Sequence, residues 1–478
     1  MNRYKRLGKN TLLVFLGNAG SRLLGLLMLP LYTRWLGPQE YGTVDVVNTY
    51  AMLLVSVVVW CIADAIFVIP KNGTEDEKKA FYTTGWLFSV LGFALTAIVF
   101  YILDAIFRTS GIENSFASNL WFIYFIMLGT FLQQYTQQFT RCIDKMVVYS
   151  VTGIVHTFFL ALFSFVFIPR HGVEGYIIAY VIAYVLSAAY SFLFSGSYKY
   201  LVLSKINKRS LITLLKYSIP LMPNTAMWWL VSGLNRPLIE ANIGMEANGI
   251  LAVANRIPGI IGMLFTIFSN AWIISMMEEF GKKDFVRFFN IAVRCVMFPS
   301  IFASIILSFF MKPLIMLLAD SAFIEAYKYA PIAIMAVVLS NYSSLIGGVF
   351  AAKKQSKYFF YSSLWAALTS VVFMLLLIPP FGLYGATISM CLSYIAAILS
   401  RSYYTRNDLV GFEIKPIALS LMLFAIVTAL VPMGLPILIK GVLYILVLIC
   451  LIFINRDILS TMMSKFSIVY CRLLGKRP

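Results

Sequence analysis

The sequence contains few charged residues: they make up 12% of its 478 positions, whereas hydrophobic residues make up 60%. A chain of this composition cannot fold as a water-soluble globule, because it has too few charged side chains to cover the surface of a protein of this length. Apolar stretches of about 20 residues, the length that crosses a bilayer as a helix, follow one another from Asn10 to Asn455. The sequence therefore predicts an all-α integral membrane protein without a large soluble domain.

Sequence motifs of enzymes and metal sites are also missing. Neither GxxxxGK(S/T) nor GxGxxG occurs, and the six cysteines show no CxxC or histidine-paired spacing. The longest outer connection, roughly residues 311–330, is short for the loop with paired carboxylates that a membrane glycosyltransferase or polysaccharide polymerase needs. We therefore predict that the protein is not an enzyme and has no catalytic residues, metal or cofactor. Such a transferase or polymerase stays an alternative.

The apolar stretches define fourteen predicted transmembrane spans. Proline removes an internal hydrogen bond and bends a helix, so kinks are expected at Pro220 and Pro223 in the seventh span and at Pro258 in the eighth. The last two spans are separated only by Pro432–Pro436. The predicted spans are 10–32, 43–69, 81–107, 118–140, 146–168, 173–196, 211–233, 248–277, 287–310, 331–351, 358–378, 383–400, 416–432 and 438–454.

Lysine and arginine are distributed unequally between the two ends of these spans. Alternate connections place 27 of them on one side, Arg401 included, and seven on the other, among them Arg236. Because basic residues accumulate on the cytoplasmic side of a membrane, both termini are predicted to be cytoplasmic, and the first span lacks the cleavage site of a signal peptide. Cytoplasmic loops beside anionic lipids explain the net charge of +18. Nucleic acid is not needed as a partner.

Two sequence echoes indicate an internal repeat. The stretch from Leu36 to Gly42 matches the stretch from Ile243 to Gly249, 207 residues later, and Ile168–Gly175 matches Ile378–Gly385, 210 residues later. Spans 1 to 6 are thus predicted to repeat as spans 7 to 12. An offset of six spans preserves direction, so the predicted halves are related by an axis along the membrane normal.

This pattern predicts a two-lobed transporter with two additional helices. The predicted domains are an N-lobe at 1–198, a cytoplasmic linker at 199–210, a C-lobe at 211–405, and the last two helices with a basic tail at 406–478.

The chain resembles the polysaccharide transporters of the multidrug/oligosaccharidyl-lipid/polysaccharide (MOP) exporter superfamily, which includes the MATE-like exporters and the O-antigen flippases of the Wzx type. The resemblance lies in Asn18–Arg22 and Leu36–Gly42, in the cytoplasmic turn after the fourth span, and in Gly382–Ala386. It implies that an undecaprenyl-pyrophosphate-linked oligosaccharide moves from the cytoplasmic to the outer leaflet of the bacterial inner membrane by alternating access. It further implies coupling to a proton or sodium gradient, and a polysaccharide polymerase and chain-length machinery as partners.

Three arginines inside predicted spans are candidates for binding pyrophosphate. Arg22 lies about 18 Å into the first span, and Arg256 and Arg294 lie about 11 to 12 Å into the eighth and ninth spans. A charge at such depth is costly and is often functional, and guanidinium stays charged and forks onto phosphate oxygens. The alternative is an ion pair inside the bundle, for example between Arg22 and Asp45 or Asp64.

Other polar residues within the spans are candidates for contacts with sugar hydroxyls. Because small and amide side chains also join packed membrane helices by hydrogen bonds, a structural role is the alternative. The candidates are Asn18, Asn48, Thr49, Asn255 and Asn270.

Coupling to an ion gradient needs a side chain that titrates or binds sodium within the membrane. The candidates are Asp45, Asp64 and His156. Solvation at a helix end is the alternative for the two aspartates, and a satisfied hydrogen-bonding role is the alternative for the histidine.

We therefore predict a flippase for a lipid-linked oligosaccharide in O-antigen or capsule biosynthesis, embedded in membrane lipid. The alternative is a cation-coupled exporter of drugs or organic cations. Arginine in the cavity would repel such a cation, so the charge of the cavity distinguishes the two.

Overall fold

The computed structural model describes Gly20 and residues 24–112 and 114–460, with the side chains of Ile267 and Asn270 excepted. Asn18 and Arg22 lie outside the described residues. The regular elements in the described part are helices, with four short 3₁₀ turns. The α-helices are α1 Leu29–Trp35, α2 Pro38–Val58, α3 Ile62–Val68, α4 Glu75–Ser110, α5 Ser115–Ser118, α6 Leu120–Cys142, α7 Met146–Ser195, α8 Lys208–Ser218, α9 Met222–Ser232, α10 Asn235–Asn242, α11 Met245–Ala254, α12 Arg256–Glu279, α13 Phe285–Phe309, α14 Met311–Leu318, α15 Ala326–Ala352, α16 Ser356–Phe381, α17 Leu383–Thr405, α18 Ile414–Leu430 and α19 Ile437–Ile454.

Nine helices within the described residues are long and apolar enough to cross a membrane: α2, α4, α7, α12, α13, α15, α16, α17 and α19. One of them, α7, contains both the fifth and the sixth predicted span. The fourth span is α6, the seventh is α8 with α9, and the thirteenth is α18. The predicted all-α membrane fold is confirmed, and every predicted span from the second to the fourteenth corresponds to helical structure.

Three of the predicted spans from the second to the fourteenth are interrupted. The seventh breaks around Pro220, where α8 gives way to a 3₁₀ turn over Ile219–Leu221, and the eighth breaks between α11 and α12, just before Pro258. Both breaks were expected from proline. The break between α2 and α3 was not: Trp60 and Cys61 both adopt left-handed backbone angles, with φ of 50° and 54°. The prediction of one helix over 43–69 was wrong. It missed the interruption because no proline or glycine marks it.

The two copies of the second sequence echo share unusual backbone conformations. Gly172 has φ 51° and ψ −126°, and Gly382, 210 residues later, has φ 57° and ψ −131°. At the same separation, Asp144 and Lys354 have φ of 58° and 54° in the turns that follow α6 and α15. The second echo thus corresponds to one local structure built twice.

The chain forms two compact units, Met1–Ala252 with Leu318–Phe323 and Val253–Leu317 with Ile324–Pro478. Residues 211–252, which the predicted domains assign to the C-lobe, fall in the first unit. In that unit, α2, α3, α4 and α6 pack around aromatic side chains such as Tyr82, Tyr135 and Phe139.

In the second unit, α15 packs against α12, α13, α16 and α17. Here α17 extends to Thr405 and buries Arg401, which is 1% exposed. Its guanidinium donates to the Ser343 carbonyl at 2.7 Å and to Ser362 Oγ at 3.1 Å, and it lies 4.7 Å from the centre of the Phe359 ring. Counting Arg401 among the cytoplasmic loop residues was therefore wrong. Its polar partners, Ser343 and Ser362, lie on α15 and α16, and no sequence pattern pointed to them.

Candidate functional site

A polar stripe runs along α2 in the first unit. The helix begins with proline at its first position, where the missing N–H removes no helical bond, and it presents Asp45, Asn48 and Thr49 on a half-buried side. Asn48 Nδ2 donates to the Val44 carbonyl at 3.0 Å, and Thr49 Oγ1 donates to the Asp45 carbonyl at 2.7 Å. These two donors are therefore satisfied within their own helix in this conformation.

Asp45 forms an ion pair with Arg236 of α10. Arg236 Nε donates to Asp45 Oδ2 at 3.0 Å, and the two side chains are 13% and 25% exposed. The second arm of the guanidinium, Nη1, donates to Asn235 Oδ1 at 2.7 Å and to the Ser232 carbonyl. The sequence offered Arg22 as a partner of Asp45, and Arg236 was counted only as a residue of an outer connection.

Two further hydrogen bonds hold the helices around this ion pair. Trp229 Nε1 of α9 donates to the Thr49 carbonyl of α2 at 3.1 Å. Asn248 of α11, which is 1% exposed, donates through Nδ2 to the Arg236 carbonyl at 3.0 Å. Together these bonds tie α2, α9, α10 and α11 into one polar cluster. The sequence patterns did not single out Asn248. In the internal repeat it corresponds to Tyr41, 207 residues earlier, and both residues directly precede a matched glycine.

The other two candidates for ion coupling lie elsewhere in the first unit. Asp64 is exposed on α3, close enough to Arg141 for the two charges to interact. His156 stacks on Tyr184 with ring centres 4.3 Å apart and meets Tyr180 edge-on at 5.7 Å. His156 lies before Gly172 and Tyr184 lies after it, so their contact also shows that the chain reverses direction within α7. His156 Nδ1 is buried and has no hydrogen-bond partner among the described residues.

Arg256 opens α12 in the second unit, and its side chain is exposed. The helix restarts here because Pro258 has no N–H to bond the Ala254 carbonyl and its ring clashes with that group, so α11 ends at Ala254. Asn255, Gly259, Gly262 and Thr266 follow at spacings of three and four along one side of the restart, and Thr266 is exposed. Asn270 continues this spacing, and its side chain lies outside the described residues.

The surface of α12 is poorly covered by protein. In its most apolar window 19% of the residues are buried, against 72% for α15. A charged side chain on such a surface within a span is too costly to face lipid and is normally found beside a water-filled cavity. Arg256 is thus an exposed cation at the start of a helix whose apolar window is largely uncovered by the described residues.

Arg294 has a different environment. Its side chain is 5% exposed, its Nη1 and Nη2 donate to Asp457 Oδ2 and Oδ1 at 2.7 and 2.8 Å, and Nη1 also reaches Glu413 Oε2 at 3.1 Å. Partial burial disfavours ionisation of Asp457, but the hydrogen bonds and charge of Arg294 hold the pKa of this carboxyl below its ordinary value. This geometry supports the structural alternative for Arg294, as an ion pair that fastens the residues flanking α18 and α19 to α13.

No group of three or more histidine, cysteine, aspartate or glutamate residues that could hold a metal ion occurs within the described ranges. Among the described residues, the first unit has a partly buried ion pair between α2 and α10, and the second unit has an exposed arginine at the start of α12.

Solved structures show the same fold. The lipid II flippase MurJ in an inward closed conformation is similar with a TM-score of 0.72 at 16% identity, over 94% of this chain and 100% of that one. An inward-facing multidrug resistance MATE family transporter of the MOP superfamily gives 0.65 at 13% identity, over 83% and 95%. A Vibrio cholerae MATE transporter gives 0.58 at 16% identity, over 86% and 98%. No curated protein sequence matches the chain significantly.

Fold and spans together define a multi-pass helical membrane protein with the architecture of MOP-superfamily transporters. The family model described as "Polysaccharide biosynthesis protein" matches residues 7–278, more than half of the sequence. The chain belongs to this polysaccharide biosynthesis protein family, and the resemblance stated from its motifs is confirmed.

Proposed function

We propose that the protein is a flippase that moves an undecaprenyl-pyrophosphate-linked oligosaccharide from the cytoplasmic to the outer leaflet of a bacterial inner membrane, for assembly of a surface polysaccharide such as O-antigen or capsule. Both termini would lie in the cytoplasm. The observation that carries the proposal is the position of Arg256, an exposed residue at the restart of α12. Membership of the polysaccharide biosynthesis protein family supports a lipid-linked oligosaccharide as the substrate of this protein.

The charge of Arg256 suits a pyrophosphate group. Guanidinium remains charged at all physiological pH values and offers paired donors that match phosphate oxygens. In the proposal Arg22 supplies a second cation, and Asn18, Asn48, Thr49, Asn255 and Asn270 contact the sugars. Arg294 is not assigned to the pyrophosphate, because its guanidinium is already held by Asp457 and Glu413.

Transport against a gradient would need coupling to protons or sodium, for which Asp45, Asp64 and His156 remain the candidates. His156 has a buried ring nitrogen without a described partner, and Asp45 is already neutralised by Arg236. A polysaccharide polymerase and its chain-length machinery would receive the flipped product.

The test is reconstitution in liposomes that contain a fluorescent undecaprenyl-pyrophosphate oligosaccharide, with flipping followed by the access of an impermeant quencher. We expect the native chain to flip this lipid, and Arg22→Ala and Arg256→Ala to lose at least tenfold in rate at equal protein abundance. Arg287→Ala is the matched control, because Arg287 is an exposed arginine outside the proposed cavity. Equal rates for Arg256→Ala and the control would contradict the role of the guanidinium.

A cation exporter is the competing outcome of the same experiment. Liposomes that carry a cationic dye in place of the lipid test it directly. If the native chain exports the dye and does not flip the lipid, the flippase proposal is wrong and the resemblance to the MATE transporters extends to their class of activity.

A further inference from the structure

Two lysines of the second unit meet at the predicted outer end of their helices. Lys312 lies in the short helix α14, just after α13 ends, and Lys440 lies in the first turn of α19. Their ammonium groups are close enough for the two positive charges to repel each other. Among the described residues, neither ammonium group has a carboxylate within ion-pair distance. We call Lys312 and Lys440 the lysine pair.

Aromatic side chains support both members of the lysine pair. Lys312 Nζ lies 5.6 Å from the centre of the Tyr327 ring, and Lys440 Nζ lies 5.7 Å from the centre of the Tyr444 ring. Tyr444 is buried and meets Phe309, the last residue of α13, edge-on with ring centres 5.1 Å apart. Since the face of an aromatic ring attracts a cation, the two charges are positioned by rings that belong to packed helices.

The lysine pair is electrostatically unfavourable unless an anion joins it. Two like charges destabilise each other where water is scarce, and a cation in the first turn of a helix also opposes the helix dipole. Only seven basic residues are predicted on the outer side, and three of them, Arg108, Arg236 and Lys328, have carboxylate partners. Lys312 and Lys440 have each other instead. An anion between the two ammonium groups would remove their repulsion.

The lysine pair lies on a surface suited to lipid. Large apolar side chains next to it in the chain, Phe310, Leu317 and Leu438, are exposed. In the most apolar window of α19, only 11% of the residues are buried. Lysine and tyrosine at the end of a spanning helix ordinarily lie at the level of the lipid headgroups. An anion that meets both the ammonium groups and this apolar surface is the phosphate of a membrane lipid rather than a free ion in water.

We propose that the lysine pair is a binding site for the phosphate of a lipid in the adjoining leaflet, which is predicted to be the outer one. The lipid is either an anionic phospholipid or a polyprenyl pyrophosphate, because both carry charged phosphate oxygens that accept hydrogen bonds from two ammonium groups. The site is separate from the arginines to which the proposed function assigns the pyrophosphate. Because it rests on the lysine pair alone, it does not depend on whether the chain flips a lipid.

The test uses the full-length protein in nanodiscs, with a fluorophore attached at Ile437→Cys, an exposed position three residues before Lys440. The six native cysteines are replaced by serine in all variants. Lipids that carry a nitroxide at one acyl-chain position quench the fluorophore when they lie beside it. Comparing labelled phosphatidylglycerol with labelled phosphatidylcholine, whose choline compensates the phosphate charge, gives the relative association of the two lipids at this site. We expect a ratio of at least about five in the otherwise native chain.

Lys312→Gln and Lys440→Gln should each lower this ratio at least threefold, whereas Lys440→Arg should keep it, because guanidinium also binds phosphate. Lys440→Glu should abolish the preference without lowering the melting temperature, since the new carboxylate repels the phosphate and pairs with Lys312. Arg108→Gln is the matched control, because it removes one positive charge from the same predicted side, where Arg108 is already paired with Asp104. Glutamine variants of both lysines that equal this control would overturn the site.

Competition identifies the source of the phosphate. An unlabelled undecaprenyl-pyrophosphate oligosaccharide is added to nanodiscs of nitroxide-labelled phosphatidylcholine, and undecaprenol, which has the chain without the phosphate, is the control. A high phosphatidylglycerol ratio without competition assigns the site to a resident phospholipid. Loss of quenching with the pyrophosphate lipid but not with undecaprenol assigns it to the class of lipid that the proposed function transports. A ratio of one and no competition would overturn the site, even if the native chain flips the lipid.

Discussion

Arg256 and Arg294 lie at similar depths in consecutive predicted spans, yet the structure gives them opposite surroundings. Arg256 is exposed at the point where α12 restarts after a break. Arg294 lies within the unbroken α13 and is clamped by the carboxylates of Asp457 and Glu413. The difference shows that depth in the membrane does not decide what a buried charge does. For Arg294, two carboxylates brought in from distant parts of the chain decide it.

Arg401 extends the comparison to a third environment. It is almost completely buried, and its guanidinium contacts a carbonyl, a hydroxyl and an aromatic ring. The three residues thus represent an exposed side chain, a side chain in an ion pair, and a side chain buried against a carbonyl, a hydroxyl and an aromatic ring. Substitutions at each should have different consequences for transport and for stability.

The largest effect is expected on transport at Arg256. Arg256→Gln should slow lipid flipping at least tenfold, and Arg256→Lys should slow it less, because lysine keeps the charge but not the paired donors. Arg294→Gln should change the rate per folded molecule less than twofold. Flipping in liposomes, normalised to folded protein, measures all three. Equal losses of flipping rate in Arg256→Gln and Arg294→Gln would show that the two arginines do not differ in their contribution to transport.

The next effect is on stability at Arg401. Arg401→Ala should lower the free energy of unfolding by about 3 kcal/mol, because it leaves a cavity and removes the partner of a buried carbonyl. Arg401→Met keeps most of the volume and should lose less. Thermal unfolding in detergent measures both. A methionine variant as unstable as the alanine variant would show that the hydrogen bonds matter more than the packing.

A smaller loss of stability is expected at Arg294. Arg294→Gln should cost about 1 kcal/mol, because Asp457 and Glu413 are 58% and 60% exposed and water solvates them once the guanidinium is gone. Arg287→Gln, on the same helix and exposed, is the control for removing a positive charge. The comparison uses unfolding in detergent at neutral pH, and a loss equal to that of the control would mean that the ion pair stabilises nothing.

The smallest effect is the pH dependence of that ion pair. Since Arg294 holds the pKa of Asp457 below its ordinary value, the pair contributes its full stability above the ordinary pKa of aspartate, about 4. The contribution is lost as the pH falls through the lowered pKa of the folded state. The difference in melting temperature between the native chain and Arg294→Gln should therefore shrink on acidification below about pH 4. A difference that stays constant down to pH 2 would contradict the assignment.

Most of the fold could be predicted from the sequence, because each spanning helix is specified locally by a run of apolar residues. The breaks at Pro220 and before Pro258 were also predictable, since proline acts on its own turn of helix. The break at Trp60 and Cys61 was not, because these residue types ordinarily continue a helix. The Trp60 ring packs against that of Phe88, with the ring centres 5.7 Å apart.

The candidate site was predicted only in part. The sequence identified Asp45, Arg256 and Arg294 as charges within spans, because charge in an apolar run is visible without a structure. It could not provide Arg236 as the partner of Asp45, 191 residues away, or Asp457 as the partner of Arg294, 163 residues away. The sequence by itself determined the spans, the repeat and the positions of the charges, since all of these are local or periodic. Only the tertiary structure decided which partners Asp45 and Arg294 meet, because those contacts join segments that the chain connects over more than a hundred residues.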